Sequence, residues 1–161
     1  MNIYLFNIIH NLAENNFINY LSIFISYIYV YALPIILIIW IVYRQSRKMF
    51  AFSILFLSSF FAWFLSQFIK IMTDIARPVV MNPIIIESGS SFPSQHGALT
   101  MALAVTVYSL DKKLGIFLFV MSILVGLSRV ILGVHFPIDV LAGWVLGALI
   151  GFIFIKLFKK V

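Results

Sequence analysis

The amino-acid sequence predicts an all-α, polytopic membrane helix bundle, and three observations predict it. Hydrophobic residues make up 63% of the 161 residues and charged residues only 10%, far from the composition of a water-soluble domain. Five apolar segments approach the ~20 residues that a membrane-crossing helix requires: Tyr20–Tyr43, Met49–Ile69, Ser94–Leu110, Leu114–Leu132 and Pro137–Phe158. Basic residues sit in twos and threes at the ends of these segments. That scatter argues against a nucleic-acid partner, which the net charge of +6 would otherwise invite. The length fits a single integral-membrane domain over residues 1–161.

The elements follow in order. Residues Met1 to His10 contain no Lys or Arg, so no secretory leader is expected. Leu5, Ile8, Ile9 and Leu12 fall on one helical stripe, with Asn7, Asn11 and Glu14 on the other side. Residues 1–17 therefore read either as an interfacial helix lying along the bilayer or as a flexible N-terminus. The segment from Ser94 is the shortest of the five, which places its start near a membrane surface. The loop of residues 70–93 carries Pro78, Pro83 and the run Ser88-Gly89-Ser90-Ser91, and reads as irregular. The sequence leaves open whether Glu87 in that loop touches substrate, and a solvent-exposed carboxylate is the role expected of it. Gly143, Gly147 and Gly151 recur every fourth residue in the last helix. Such spacing lets helices approach closely, within the bundle or across a dimer seam.

Charge sets the topology. Arg44, Arg47 and Lys48 occupy the first loop, Lys112 and Lys113 the third, and Lys156, Lys159 and Lys160 the end of the chain. With five crossings these places share one side, which the positive-inside rule makes cytoplasmic, with the N-terminus outside. Of the eleven basic residues only Lys70, Arg77 and Arg129 remain, and all map to the opposite face.

Polar groups at membrane depth are costly and tend to mark function. Three clusters meet on that outer face. Lys70 and Arg77-Pro78 lie at the end of the second long helix; Lys70 also suits a snorkelling anchor. Pro93-Ser94-Gln95-His96-Gly97 opens the third, where Ser94 caps and free N–H groups suit an anion such as phosphate. Ser128-Arg129 closes the fourth, with Gly133 as its terminator, and His135 and Asp139 introduce the fifth. Asp139 can reach back to one imidazole nitrogen of His135, fixing its tautomer and leaving the other nitrogen free to attack. Each cluster has a plain structural reading as cap, anchor or dipole partner, but their conjunction points to an anion site. Zinc is disfavoured there, because three cations would repel it and no tight ligand spacing is present. The chain has no cysteine, which removes a disulfide framework, a thiolate metal site and a cysteine nucleophile.

Lys70-x6-Arg77-Pro78, Pro93-Ser94-x-His96 and Ser128-Arg129-x5-His135-x3-Asp139 resemble, in order and spacing, the three-part signature of the type-2 phosphatidic acid phosphatase superfamily. Gln95 departs from the Gly that many members carry. The resemblance implies a metal-free, cofactor-free lipid phosphatase in the cell membrane, with its site extracytoplasmic and its C-terminus cytoplasmic. It implies His135 as nucleophile, Asp139 as its orienting partner and His96 as the acid. Lys70, Arg77, Ser94 and Arg129 would hold phosphoryl oxygens, helped by the backbone near Gln95. The expected substrate is a lipid-linked phosphate in the bilayer, undecaprenyl diphosphate first, with lipid A or phosphatidylglycerophosphate as alternatives. A lipid-phosphate binder or transporter without chemistry is the reading from another class.

Overall fold

The computed structural model describes residues 2–80 and 85–158. Pro83, Lys159 and Lys160, to which loop and topology roles were assigned above, lie outside the described residues. Among the described residues every regular element is helical. Helix α1, Asn2–His10, passes through a 3₁₀ turn, Asn11–Glu14, to Asn15. The Asn15 side chain accepts from the N–H groups of Phe17 and Ile18 at 2.9 and 3.3 Å, and so caps α2, Asn16–Ile23. A π-helical segment, Phe24–Tyr29, joins α2 to α3, Val30–Arg44, in one rod of 29 residues. This segment lies one turn before Pro34, whose missing N–H interrupts the α-helical ladder in any case.

Helix α4, Lys48–Thr73, ends where Asp74 turns to φ 42° and donates its N–H to the Lys70 carbonyl at 3.1 Å. Helix α5, Gln95–Leu110, starts on Ser94, and α6, Lys112–Ile131, starts on Asp111, whose carboxylate takes the Leu114 N–H at 3.1 Å. Gly133, at φ +75°, breaks the chain after α6, and α7, Pro137–Phe158, begins four residues later.

Four helices, Asn16–Arg44, Lys48–Thr73, Lys112–Ile131 and Pro137–Phe158, are long and apolar enough to cross a membrane. The fifth expected span, α5, falls short. Its 16 residues rise about 24 Å, less than the ~30 Å of a hydrocarbon core. It also sits inside the others, packed on α4, α6 and α7, with Ala98, Ala102, Ala104 and Val107 fully buried. Around it the outward faces are apolar. Phe52, Phe56, Phe60, Phe64 and Phe68 form an exposed file along α4, in which Phe52 stacks on Phe56, and Phe60 stacks on both Phe56 and Phe64. Water is no solvent for such a surface; lipid is.

The glycine file of α7 is used within the bundle. A Cβ at Gly143 would stand 2.4 Å from the Ser94 carbonyl oxygen, and one at Gly147 would stand 2.2 Å from that of Ala98. Bundle packing thus consumes the face that a dimer seam would have needed. At one end of the molecule Phe50, Leu110, Leu114 and Phe158 pack together or into one core, so the loops carrying Arg44 to Lys48 and Lys112-Lys113 share an end with Lys156. Lys70, Arg77 and Arg129 lie at the other end.

Helix α1 is docked, which overturns the flexible reading of the N-terminus. Phe6 is buried, stacks on His10 at 5.2 Å and tilts against Phe136 at 5.4 Å. His10 Nδ1–H donates to the Ile131 carbonyl at 2.7 Å. The inward face is therefore Phe6, Ile9 and His10, while Leu5, Ile8 and Leu12 of the expected stripe point outward. The ring stack and the hydrogen bond to α6 select this rotation over the purely apolar one.

The Gly147→Ala substitution tests the helix contact. Alanine favours an isolated helix by ~1 kcal/mol, but the Cβ meets backbone that cannot rotate away. The expected outcome is a net loss of about 1–3 kcal/mol, read as a lower unfolding midpoint in detergent. An unchanged or higher midpoint would show that α5 and α7 are not held at this distance.

Candidate active site

The site is built on two helix starts that hold each other. Ser94 is fully buried at the N-cap of α5, and its hydroxyl accepts the Gly97 N–H at 3.4 Å. Its own N–H donates to the Asp139 carbonyl at 2.8 Å, which ties α5 to the first turn of α7. The Asp139 carboxylate reaches back one turn and takes the Phe136 N–H at 2.8 Å through Oδ2, as a carboxylate in a capping box does. The same oxygen lies 3.6 Å from His135 Nδ1. That separation is an electrostatic contact, longer than a hydrogen bond. The expected His135–Asp139 pair is therefore present but slack, because the oxygen that faces the ring is also capping the helix.

His135 and Asp139 are each 1% exposed, and Arg129 is 0% exposed. Burial pushes the His135 imidazole down to about 4; Asp139 opposes that shift, and Arg129, Lys70 and Arg77 reinforce it. His135 is thus neutral at pH 7. Among the described residues, His135 Nδ1 and Arg129 Nε and Nη1 have no hydrogen-bond partner. Buried donors left in this condition are costly, and on Arg129 they are donor positions waiting for an acceptor.

The loop after α4 brings the other cations. Lys70 is buried, with Nζ donating to the Ser90 carbonyl at 2.6 Å and the Ser91 carbonyl at 3.3 Å. It does not snorkel. Arg77 donates from Nε to the Gly89 carbonyl at 3.1 Å and from Nη1 to the Val134 carbonyl at 2.8 Å, so it spans the loop and the turn before His135. Lys70, Arg77, Gln95 and His96 line a polar cavity of about 680 Å³ with Gln67 and Glu87. Gln95 Nε2 lies 3.5 Å from Gln67 Oε1. Every predicted site residue thus falls at one end of the bundle. Ser94 and Asp139 both use their side chains as helix caps, and with Arg129 and His135 they lie buried behind the residues that line the cavity.

Two residues at this site went unrecognised in the sequence. Glu87, read above as a solvent-exposed carboxylate, is instead half-buried between two guanidinium groups. Its Oε2 lies 3.0 Å from Arg77 Nη1, and its Oε1 accepts from Arg129 Nη2. The Tyr27 hydroxyl also donates to Oε1, at 2.9 Å. Burial alone would raise the Glu87 carboxyl, but Arg129 outweighs burial, aided by Tyr27 and Arg77, and holds it at about 2. Tyr27 comes from the π-helical segment. Its ring lies 5.4 Å from the Arg129 guanidinium carbon and edge-on to His96 at 6.3 Å between centroids. Glu87 left a faint signal, a lone carboxylate in a loop of Ser and Gly. Tyr27, one aromatic in an apolar run, left none.

Three cations around a buried neutral imidazole, backed by a carboxylate, suit a phosphoryl group and a nucleophile to receive it. Comparison with known proteins places the chain among phosphatases. Residues 48–161 match the sequence profile of the PAP2 superfamily. Undecaprenyl-diphosphatase BcrC of Bacillus subtilis (strain 168) is 30% identical over 163 residues, covering 97% of this chain and 83% of that protein. The crystal structure of Aquifex aeolicus LpxE superposes with a TM-score of 0.76 at 27% identity, covering 96% of this chain and 94% of the other. A transmembrane PAP2-type phosphatidylglycerolphosphate phosphatase from Bacillus subtilis gives a TM-score of 0.65 at 25% identity, covering 99% and 94%. An apolar bundle matched over nearly its whole length by transmembrane relatives is an integral membrane protein, and this chain belongs to the PAP2 superfamily of phosphatases.

Proposed function

We propose that the protein hydrolyses a lipid-linked phosphate or diphosphate through a phosphohistidine on His135. The observation that carries this reading is the buried, neutral His135, backed by Asp139 and faced by Lys70, Arg77 and Arg129. With its Nδ1 proton toward Asp139, His135 presents the lone pair of Nε2. That nitrogen attacks phosphorus, the bond from phosphorus to the lipid-side oxygen breaks, and His96, protonated once the bound phosphate offsets the charge of the neighbouring cations, gives the departing oxygen its proton. Water then attacks the phosphorus, losing a proton to His96, while the phosphorus–nitrogen bond breaks and returns its electron pair to His135, and inorganic phosphate leaves. Lys70, Arg77 and Arg129 balance the charge on the phosphoryl oxygens, the larger part of the work in phosphoryl transfer. No metal enters this scheme. Its role falls to the cations.

The substrate favoured is undecaprenyl diphosphate, cut to the monophosphate, and the support is the relative that matches 97% of this chain. The similarity in fold to a phosphatidylglycerolphosphate phosphatase favours that lipid as the second reading. Phosphate release from purified undecaprenyl diphosphate, phosphatidylglycerophosphate and lipid A separates the candidates. In the proposed topology α5 counts as a fifth crossing, because surrounding helices rather than lipid meet its short ends. The basic loops then lie in the cytoplasm, the site opens on the extracytoplasmic side, and α1 lies in that interface with Leu5, Ile8 and Leu12 toward lipid.

His135→Ala is expected to reduce phosphate release to background, and His96→Ala to slow it, by ~10²–10⁴-fold with a monoester and by less with a diphosphate, whose leaving group is itself a phosphate. Wild-type turnover by the His135 variant would remove the nucleophile. Activity is expected to survive EDTA and to be blocked by vanadate; strict dependence on added metal would overturn the scheme.

The depressed pKa of His135 has a consequence for stability. Its folded value, about 4, lies below its ordinary 6.5, so the unfolded chain binds the extra proton between those limits. Stability is then full above pH 6.5 and falls as pH drops toward 4, by on the order of a few kcal/mol. Unfolding midpoints across that window should slope less steeply for His135→Asn than for the wild type. Equal slopes would place the titration elsewhere.

A further inference from the structure

We propose that Glu87 is an internal stand-in for the phosphoryl group, occupying the place between Arg77 and Arg129 until substrate displaces it and returning to help expel product phosphate. The inference rests on the assignment of those two arginines as the phosphoryl clamp.

The contacts are those an oxyanion would make. One carboxylate oxygen faces Arg77 Nη1 at 3.0 Å, and the other takes Arg129 Nη2 and, at 2.9 Å, the Tyr27 hydroxyl. Without a counter-ion, Arg129 would be a fully buried charge beside two further cations, a costly arrangement. Glu87 removes that cost while the site is empty. It is nevertheless an incomplete guest. Its two oxygens leave Arg129 Nε and Nη1 without partners among the described residues. A phosphoryl group brings a third oxygen and a larger charge, and so satisfies donors that the carboxylate cannot.

The surroundings permit exchange. Glu87 flanks the polar cavity, between Ile86, which is 86% exposed, and the exposed Ser88 and Gly89. The backbone after it is held separately, by Lys70 on the Ser90 and Ser91 carbonyls and by Arg77 on Gly89. Withdrawal therefore needs rotation of one side chain, with the backbone from Ser88 to Ser91 kept in place.

A site with this many cations would bind its inorganic product tightly. A tethered carboxylate competes with that product at every turnover. If the docked carboxylate holds about nine-tenths of the empty enzyme, the affinity for any incoming anion is reduced about tenfold.

The rival role, a strut that only orients Arg77 and Arg129, makes the opposite prediction, so the sign decides. Inhibition constants for inorganic phosphate and orthovanadate, together with KM and kcat, would be measured on full-length wild type, Glu87→Gln and Glu87→Ala in detergent micelles. Thermal stabilisation by vanadate gives a readout independent of turnover. The stand-in role predicts that both inhibition constants and KM fall about tenfold in each variant, without a rise in kcat. Constants that rise or stay unchanged, in variants of an active wild type, would overturn it. A wild type that neither releases phosphate nor is stabilised by vanadate would bring down the phosphatase reading and this inference together, and is told apart by that double failure.

Discussion

One backbone hydrogen bond, from the Ser94 N–H to the Asp139 carbonyl at 2.8 Å, joins the starts of the two helices that carry the site. It forms only because α5 and α7 lie closer than side chains normally permit, with glycines 143 and 147 against the carbonyls of Ser94 and Ala98. From that contact the remaining placements follow. Asp139 is held where one oxygen caps its own helix and faces the His135 ring. Gly133 turns the chain so that Arg129 and His135, six residues apart, both reach the same interior. The bundle supplies rigidity, and the site supplies charge that the rigid surroundings cannot easily neutralise.

Charge neutralisation then becomes the second organising theme. Burying Arg129 completely, with Lys70 buried and Arg77 mostly so, is tolerable only if acceptors come to them. The loop following α4 brings these in the form of carbonyls from Ser88 to Ser91 and the Glu87 carboxylate. The irregular backbone of that loop has a physical use. A regular helix would spend its carbonyls on its own N–H groups, whereas this segment turns them toward cations.

Much of this was legible in the sequence, for a reason tied to solvent. In an apolar chain each charged residue is conspicuous, so Lys70, Arg77, Arg129, His135 and Asp139 stood out once topology had accounted for the other basic residues. Capping chemistry placed the start of α5 at Ser94 and the end of α6 before Gly133. What escaped lacked a local signature. Glu87 meets Arg129 across 42 residues of chain and Tyr27 across 60, and no periodicity encodes such a meeting. The rotation of α1 escaped because hydrophobic patterning treats Leu5 as the better core residue, while a ring stack and one imidazole hydrogen bond favour Phe6 and His10. The shortness of α5 was visible, but its enclosure was not.

The π-helical segment at Phe24–Tyr29 holds a wider turn within the first long helix. Such a turn accommodates one residue more than a regular α-helix does. Each residue of an α-helix advances the azimuth by about 100°. Excising a single residue there would return the rod to ordinary winding and swing everything on the N-terminal side by that angle. Helix α1 is fastened to α6 through His10, so that rotation would meet resistance at a distant point. The chain thus keeps the azimuth of the Tyr27 hydroxyl in its winding number as well as in its side chains. Length changes in this stretch should be less forgivable than most substitutions within it.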